Sequence, residues 1–311
     1  MTILELLNWS TYYLKDHQIE NPRLNAELLL AHSLSLGREG LYGSLQSQIQ
    51  ESDKEILERL TQRRISGEPL QYILGRQEFW SIEFKVDPRV FIPRPETEVL
   101  IEQTLLILSR TLFKKPPFLL EIGTGSGAIA ISLARESKNI FLVATDISRD
   151  ALVLAKENAN SADVRQQIQF VNGDLFDPFR LSKERGLFDL ILSNPPYITQ
   201  FEIRGLAKEV RNYEPLVALD GGEDGLEVYR RIISQAPFYL RGEGWLLLEV
   251  GQGQSERVSK LIEEGGHFLK PECIPDLSGV ERVVKAQKMD SIHSDINHIK
   301  DPSFLPRFPS G

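Results

Sequence analysis

From Pro117 onward the chain alternates short apolar runs with longer stretches of helical spacing. Phe118-Leu-Leu-Glu-Ile122 is the first apolar run, and residues 128–136 read as the helix that follows it. Ile140-Phe-Leu-Val-Ala-Thr145 is the second, with a helix from about Arg149 to Asn160. Ile168 to Val171, Phe188-Asp-Leu-Ile-Leu-Ser193 and Trp245-Leu-Leu-Leu-Glu-Val250 are the third, fourth and fifth. Runs this short and this apolar have no polar face to offer water, so both faces must be covered. Alternating helices supply that cover, which predicts a doubly wound, mostly parallel sheet.

The chain before this region has a different texture. Leu4, Leu7 and Leu14 lie near helical spacing, and Asn21-Pro22 is a cap and first-turn pair ahead of residues 24–34. Ser52-Asp-Lys-Glu55 has the form of a capping box for a helix reaching about Arg64, stopped by Gly67 and Pro69. Residues 1–74 therefore read as a small helical domain. Across 75–95, Phe79, Ile82, Phe84, Val86, Val90 and Ile92, broken by Asp87-Pro88, predict a β-hairpin linker. Residues 96–288 would form the main α/β domain. Residues 289–311 lose apolar periodicity, carry prolines and are expected to be a disordered tail.

Composition narrows the function class. Of 311 residues, 41% are apolar and 26% charged, and the net charge is −8, which disfavours a surface built to grip phosphates. Cys273 is the only cysteine, so no disulfide can form within the chain, which fits a reducing compartment. His17, His32, His267, His293 and His298 are scattered without metal-ligand spacing. No apolar stretch reaches the ~20 residues of a membrane helix, and the N-terminus lacks the pattern of a secretory signal. A cytoplasmic protein with no membrane partner is expected.

Glu121-Ile-Gly-Thr-Gly-Ser-Gly-Ala128 ends the first strand and opens a helix. Glycine lets the backbone turn sharply and approach a ligand closely, and ligands of doubly wound sheets bind beyond the carboxyl ends of the strands. Gly123, Thr124, Gly125, Ser126 and Gly127 are thus candidate cofactor contacts. The loop suits the methyl donor S-adenosyl-L-methionine, but Gly123, Gly125 and Ala128 also fit the relaxed dinucleotide pattern. Asp146 ends the second strand, where an acid accepts from ribose hydroxyls in either class. Asp174 and Leu175 follow the third strand, where Asp174 can accept from an adenine amino group and Leu175 can cover the ring.

Ser193-Asn-Pro-Pro-Tyr197 follows the fourth strand. Residues before proline are pushed toward extended conformations, so two prolines give a rigid path after Asn194. Such a path can aim the Asn194 side-chain oxygen and the Pro195 carbonyl at one point, where two acceptors suit an NH2 group. With Pro196 continuing the path, Tyr197 can lie on the face of a planar substrate. A planar nitrogen is a poor nucleophile because its lone pair is delocalised. Two acceptors on its protons favour pyramidalisation and stabilise the growing positive charge, the sign-reversed form of an oxyanion hole. These four residues are the catalytic candidates for methyl transfer to an amide or amine nitrogen.

With those residues in view, the chain resembles the release-factor glutamine methyltransferases, the PrmC/HemK family. The resemblance covers about Ile3 to Gln287. Besides the loop and Asn194-Pro-Pro-Tyr197 it rests on Gly67-Glu-Pro-Leu-Gln-Tyr72, Pro93-Arg-Pro-Glu-Thr-Glu98, Glu214-Pro215, Gly221-Gly-Glu-Asp-Gly-Leu226 and Asp276-Leu-Ser-Gly279 with Arg282. It implies a class I S-adenosylmethionine-dependent methyltransferase fold with a seven-stranded sheet and an N-terminal helical bundle. It implies methylation of the glutamine in the Gly-Gly-Gln loop of class I peptide chain release factors. By the same resemblance, Gly123 to Gly127, Asp146, Leu175 and Asn194 contact the cofactor and Asn194 to Tyr197 hold the glutamine. Leu175 stands where the family often has an aromatic. Arg94 and Glu96 flank the expected cleft and are candidates either for the substrate loop or for a salt bridge at the domain joint.

Two other classes share parts of this pattern. A nucleic-acid adenine methyltransferase would present an NH2 to Asn194 and a base face to Tyr197. Against it, residues 1–92 hold 10 Lys and Arg against 13 Asp and Glu, whereas a target-reading domain should be basic. No direct nucleic-acid binding is expected. A dehydrogenase could use the glycine loop, but it leaves Asn194-Pro-Pro-Tyr197 without a role.

Overall fold

The structure is a computed structural model and describes residues 1–179 and 186–290. Of the expected tail, 289–311, residues 291–311 lie outside the described residues.

The N-terminal segment forms five helices: α1 (Ile3–Asp16), α2 (Pro22–Ser33), α3 (Arg38–Gly43), α4 (Glu51–Ile65) and α5 (Leu70–Leu74). Their apolar positions converge on one core containing Leu6, Leu7, Leu14, Leu29, Leu30, Leu41 and Leu57. Thr2 caps α1 through a reciprocal box with Glu5. The box expected at Ser52-Asp-Lys-Glu55 does not form. The Gln50 carbonyl already accepts from the Asp53 and Lys54 N–H groups, so the helix starts at Glu51 and Ser52 lies inside it. There Glu51 and Asp53 favour the positive end of the helix dipole instead. Pro22 takes the first helical position of α2 as expected, but Asn21 adopts a left-handed conformation without a side-chain cap.

Two short strands, β1 (Arg76–Phe79) and β2 (Ile82–Lys85), pair antiparallel as the hairpin. Its apolar side chains Phe79, Phe84 and Val86, with Val90 and Ile92 beyond, are buried in the same core as the helices of the main sheet. Asn158 accepts from the Lys85 N–H at 2.9 Å and donates to its carbonyl at 3.0 Å, so the hairpin is fixed to the main domain.

The remainder runs α6 (Glu98–Arg110), β3 (Phe118–Ile122), α7 (Ala128–Glu136), β4 (Phe141–Asp146), α8 (Arg149–Ser161), β5 (Ile168–Asn172), β6 (Phe188–Ser193), α9 (Gln200–Ile203), α10 (Lys208–Tyr213), α11 (Glu227–Tyr239), β7 (Leu240–Glu249), α12 (Ser255–Gly265), β8 (Glu272–Pro275) and β9 (Glu281–Gln287). The seven strands order as β5-β4-β3-β6-β7-β9-β8. The first five are parallel, and β9 runs antiparallel to both β7 and β8. Leu119, Leu142, Leu190 and Leu247 face α6, α7 and α8. Leu120, Val143, Ile191 and Leu246 face α11 and α12. The strand order reverses between β3 and β6, so the crevice for a ligand opens at Ile122 and Ser193.

Candidate functional site

At that crevice the structure forms a cleft of about 600 Å³. Gly123, Thr124, Gly125, Ser126, Asp146, Asp174, Leu175 and Asn194 to Tyr197 all line it. The residues that sequence reading places after four separate strands are thus brought to one cleft.

The glycine loop is held from behind. The N–H groups of Gly123 and Thr124 both donate to the Thr145 carbonyl at 2.9 Å. Asn158, buried on α8, donates to the Ser126 carbonyl at 2.9 Å. Gly125 has φ +55 and nothing stands within 4 Å of where a side chain would begin, because that direction is the open cleft. Gly127 differs: a Cβ there would lie 2.8 Å from Ile131 and 3.3 Å from Ala155. It does not line the cleft, and its small size lets α7 and α8 meet.

Asp146 Oδ2 accepts from the Gly125 N–H and Oδ1 from the Ser148 N–H, each at 2.8 Å. One lone pair on each oxygen remains available to a ligand. Burial raises its pKa above the usual aspartate value, against the two N–H donors. Ile147, more than half exposed although apolar, follows it on the cleft wall. Leu175, which also lines the cleft, has φ +46, a left-handed conformation that costs a branched residue free energy and is tolerated where a site fixes it. Ile147 and Leu175 both offer apolar surface to a flat ring. Asp174 accepts from Arg231 at 2.5 Å, and both line the cleft. Ile147 and Arg231 carry no motif, so only the fold reveals them.

Glu121 is buried and takes the Thr124 hydroxyl at 2.8 Å on Oε2, while Oε1 has no partner among the described residues. Burial pushes its carboxyl up to about 7. The strand pattern alone gives this acid no role; at the cleft floor it is a free acceptor for a cationic group.

Asn194 Nδ2 donates to the Thr97 hydroxyl at 3.2 Å. Neither Asn194 Oδ1 nor Pro195 O accepts a hydrogen bond from a described residue. Both acceptors are therefore free where Asn194 and Pro195 line the cleft. Tyr197 is seated by three glycines. A Cβ on Gly221 would come within 2.7 Å of Tyr197 Cα, on Gly225 within 2.5 Å of its carbonyl, and on Gly251 within 2.8 Å of its ring. Gln254 donates to the Tyr197 carbonyl at 2.9 Å. Within Gly221-Gly-Glu-Asp-Gly-Leu226, Gly221 and Gly225 are thus packing for Tyr197. Gly251→Ala should move the ring and lower kcat by roughly 10–100-fold, the cost of an ångström-scale misplacement. Steady-state kinetics with a parallel calorimetric titration of cofactor checks this, and unchanged kcat would remove Tyr197 from the reaction.

Arg94 and Glu96 both have ion-pair partners, as the second of their two expected roles requires. Arg94 pairs with buried Glu214, which also accepts from the Ile92 N–H, and it stacks over Phe91 at 4.7 Å. Glu96 lies 3.9 Å from Arg282, which Asp276 holds at 2.9 Å. Neither lines the cleft. These pairs link the segment after the hairpin to the loops at the strand ends.

The strand order and the glycine loop at the switch point define a class I S-adenosylmethionine-dependent methyltransferase fold. The crystal structure of the hMettl16 catalytic domain in complex with MAT2A 3'UTR hairpin 6 superposes with a TM-score of 0.53, at 17% identity, over 76% of this chain and 84% of that one. A family model described as the PrmC N-terminal domain matches residues 5–75, and one described as the methyltransferase small domain matches 98–210. The chain is 41% identical to the release factor glutamine methyltransferase of Geobacter sulfurreducens, over 91% of this chain and 95% of that protein. It is 35% identical to the Bacillus cereus protein of the same name, over 92% and 99%. The chain belongs to the release factor glutamine methyltransferase family.

Proposed function

We propose that this chain transfers the methyl group of S-adenosyl-L-methionine to the side-chain nitrogen of the glutamine in the Gly-Gly-Gln loop of class I peptide chain release factors. The observation that carries the reading is the pair of unengaged acceptors, Asn194 Oδ1 and Pro195 O, beside a cleft with the features a nucleoside cofactor needs. Gly123 to Ser126, Asp146, Ile147, Asp174 and Leu175 would hold the cofactor, and Glu121 offers the acceptor for its amino group. When bound, it supplies an electrophilic methyl on a sulfonium.

The chain's own residues then act on the nitrogen. Asn194 Oδ1 and Pro195 O accept the two amide N–H bonds, orient the lone pair and stabilise positive charge as it develops. Tyr197 holds the amide plane. A residue acting as base is not required, because the nitrogen becomes strongly acidic once methylated. No helix among the described residues is long and apolar enough to cross a membrane. We place the protein in the cytoplasm and assign it a protein rather than a nucleic-acid substrate. The acidic balance of residues 1–92 supports the latter assignment. Mass spectrometry of a release factor after incubation with enzyme and cofactor tests the reading. One added methyl on the loop glutamine is expected, and its absence under conditions where cofactor binds overturns it.

A glutamine preceded by two glycines offers little side-chain surface, so selectivity requires a second contact. Residues 1–74 would supply it, and remote binding energy would orient the glutamine. A free Gly-Gly-Gln peptide should show kcat/KM at least about 100-fold below the intact factor, the loss of two ordinary contact residues at an interface. Equal values would exclude a remote contact.

A further inference from the structure

One buried acid beside the reacting residues has no part in the chemistry above. Glu249 ends β7 next to the end of β6, where Leu248 pairs with Ser193, so it stands alongside Asn194. It is 3% exposed, and Oε2 has no hydrogen-bond partner among the described residues. A buried polar atom left without a partner is costly, and a surface-seeking residue such as glutamate is rarely found so. It is not among the side chains that line the cleft. Its neighbours are Thr97, which accepts from Asn194 Nδ2 at 3.2 Å, and Asn194 itself, and both favour the charged carboxylate.

We propose that Glu249 is a positioning residue that fixes which edge of the Asn194 carboxamide faces the substrate. The inference rests on the reading of Asn194 as an acceptor for the glutamine nitrogen. An asparagine amide is nearly symmetric in shape, and packing alone distinguishes its oxygen from its nitrogen poorly. Turned around, Asn194 would aim Oδ1 at the carboxylate and its NH2 at the substrate NH2, a donor against a donor. The carboxylate accepts but cannot donate, so it repels Oδ1 and holds Nδ2 inward with Thr97. Oδ1 is thereby kept toward the cleft. A neutral amide at position 249 can donate, so it accepts either orientation.

Other charges face the carboxylate. Glu96 raises its pKa and Arg282 lowers it, Tyr197 and Tyr229 adjoin it, and burial pushes it up to about 7. Below that pH the group is a neutral acid that can donate to Oδ1. The orienting effect is then lost.

The test compares the native enzyme with Glu249→Gln, Asn194→Ala and the double variant, on an intact release factor. Glu249→Gln should lower kcat about 10–100-fold, by analogy with removal of a residue that orients a metal ligand. The KM for release factor, calorimetric affinity for cofactor and thermal midpoint should change little. The native kcat should fall as pH drops through about 7, and the variant should lack that limb. Selective 15N labelling of asparagine should show an Asn194 Nδ2 resonance that shifts in Glu249→Gln. The double variant should be no slower than Asn194→Ala alone. If the two losses multiply, or if Glu249→Gln keeps native kcat while Asn194→Ala is impaired, the positioning role is wrong and the acceptor role stands. If Asn194→Ala itself keeps native kcat, the acceptor role and the inference fall together.

Discussion

Asn194→Ala should lower kcat by on the order of 10²–10³-fold, by analogy with removal of one donor from an oxyanion hole. The magnitude follows from when the contact acts. A ground-state amide N–H is a modest donor, so Asn194 adds little to binding of the release factor. As the methyl transfers, positive charge builds on nitrogen and the same hydrogen bond becomes charge-assisted. An interaction strengthened in the transition state appears in kcat rather than KM. The variant also frees the Thr97 hydroxyl that Asn194 Nδ2 now occupies. Thr97→Val separates that effect, since it removes the partner and leaves the acceptor. Single-turnover kinetics at saturating cofactor is the measurement, and a near-native rate for Asn194→Ala would exclude the acceptor role.

The central strands were readable because each is an uninterrupted apolar run bounded by turns; β3 and β6 fall at the expected residues. The edge of the sheet was not. In β9, Arg282 and Lys285 break the apolar pattern, although Lys285 is buried against Gln103 and above the Trp245 ring. Its long stem packs like an apolar side chain while its charged end finds partners. The first half of β7, Leu240 to Gly244, holds Arg241 and Glu243 beside glycines and reads as a turn. Helix α6 has Leu100, Ile101, Thr104 and Ile107 on one buried face, yet it adjoins a proline-rich segment that conceals its start.

Site residues divide on a similar line. That Gly123, Gly125, Asp146 and Asn194 to Tyr197 meet at one cleft was legible because strand ends and rigid turns announce themselves locally. Glu121 and Glu249 sit inside apolar strands, where sequence shows only an interruption. Their proximity to Thr124 and Asn194 exists only once β3, β6 and β7 pair. Gly127 and the pair Arg94 and Glu96 are the converse case. They belong to recognisable motifs, and in the fold they also hold helices and loops together.

Asp146→Ala should weaken cofactor binding by roughly 10²–10⁴-fold, since two charge-assisted hydrogen bonds are lost at about 1.5–3 kcal/mol each. The carboxylate has one lone pair per oxygen beyond the Gly125 and Ser148 N–H groups, which matches two vicinal ribose hydroxyls in number. Alanine also leaves those two N–H groups without an acceptor, so loop disorder is a competing cause of weak binding. A cofactor analogue lacking one ribose hydroxyl separates the causes. On the native enzyme it should bind more weakly than the parent compound. On Asp146→Ala the difference should vanish, because the partner of that hydroxyl is gone. A second signature comes from pH. Burial raises the Asp146 pKa, so the charged acceptor is lost on acidification sooner than for an ordinary aspartate. Native affinity should therefore decline at mildly acidic pH, and Asp146→Ala should show no such decline. Calorimetric titration with both compounds across that range is decisive: an unchanged affinity, or an analogue penalty that persists in the variant, means that Asp146 does not hold the ribose.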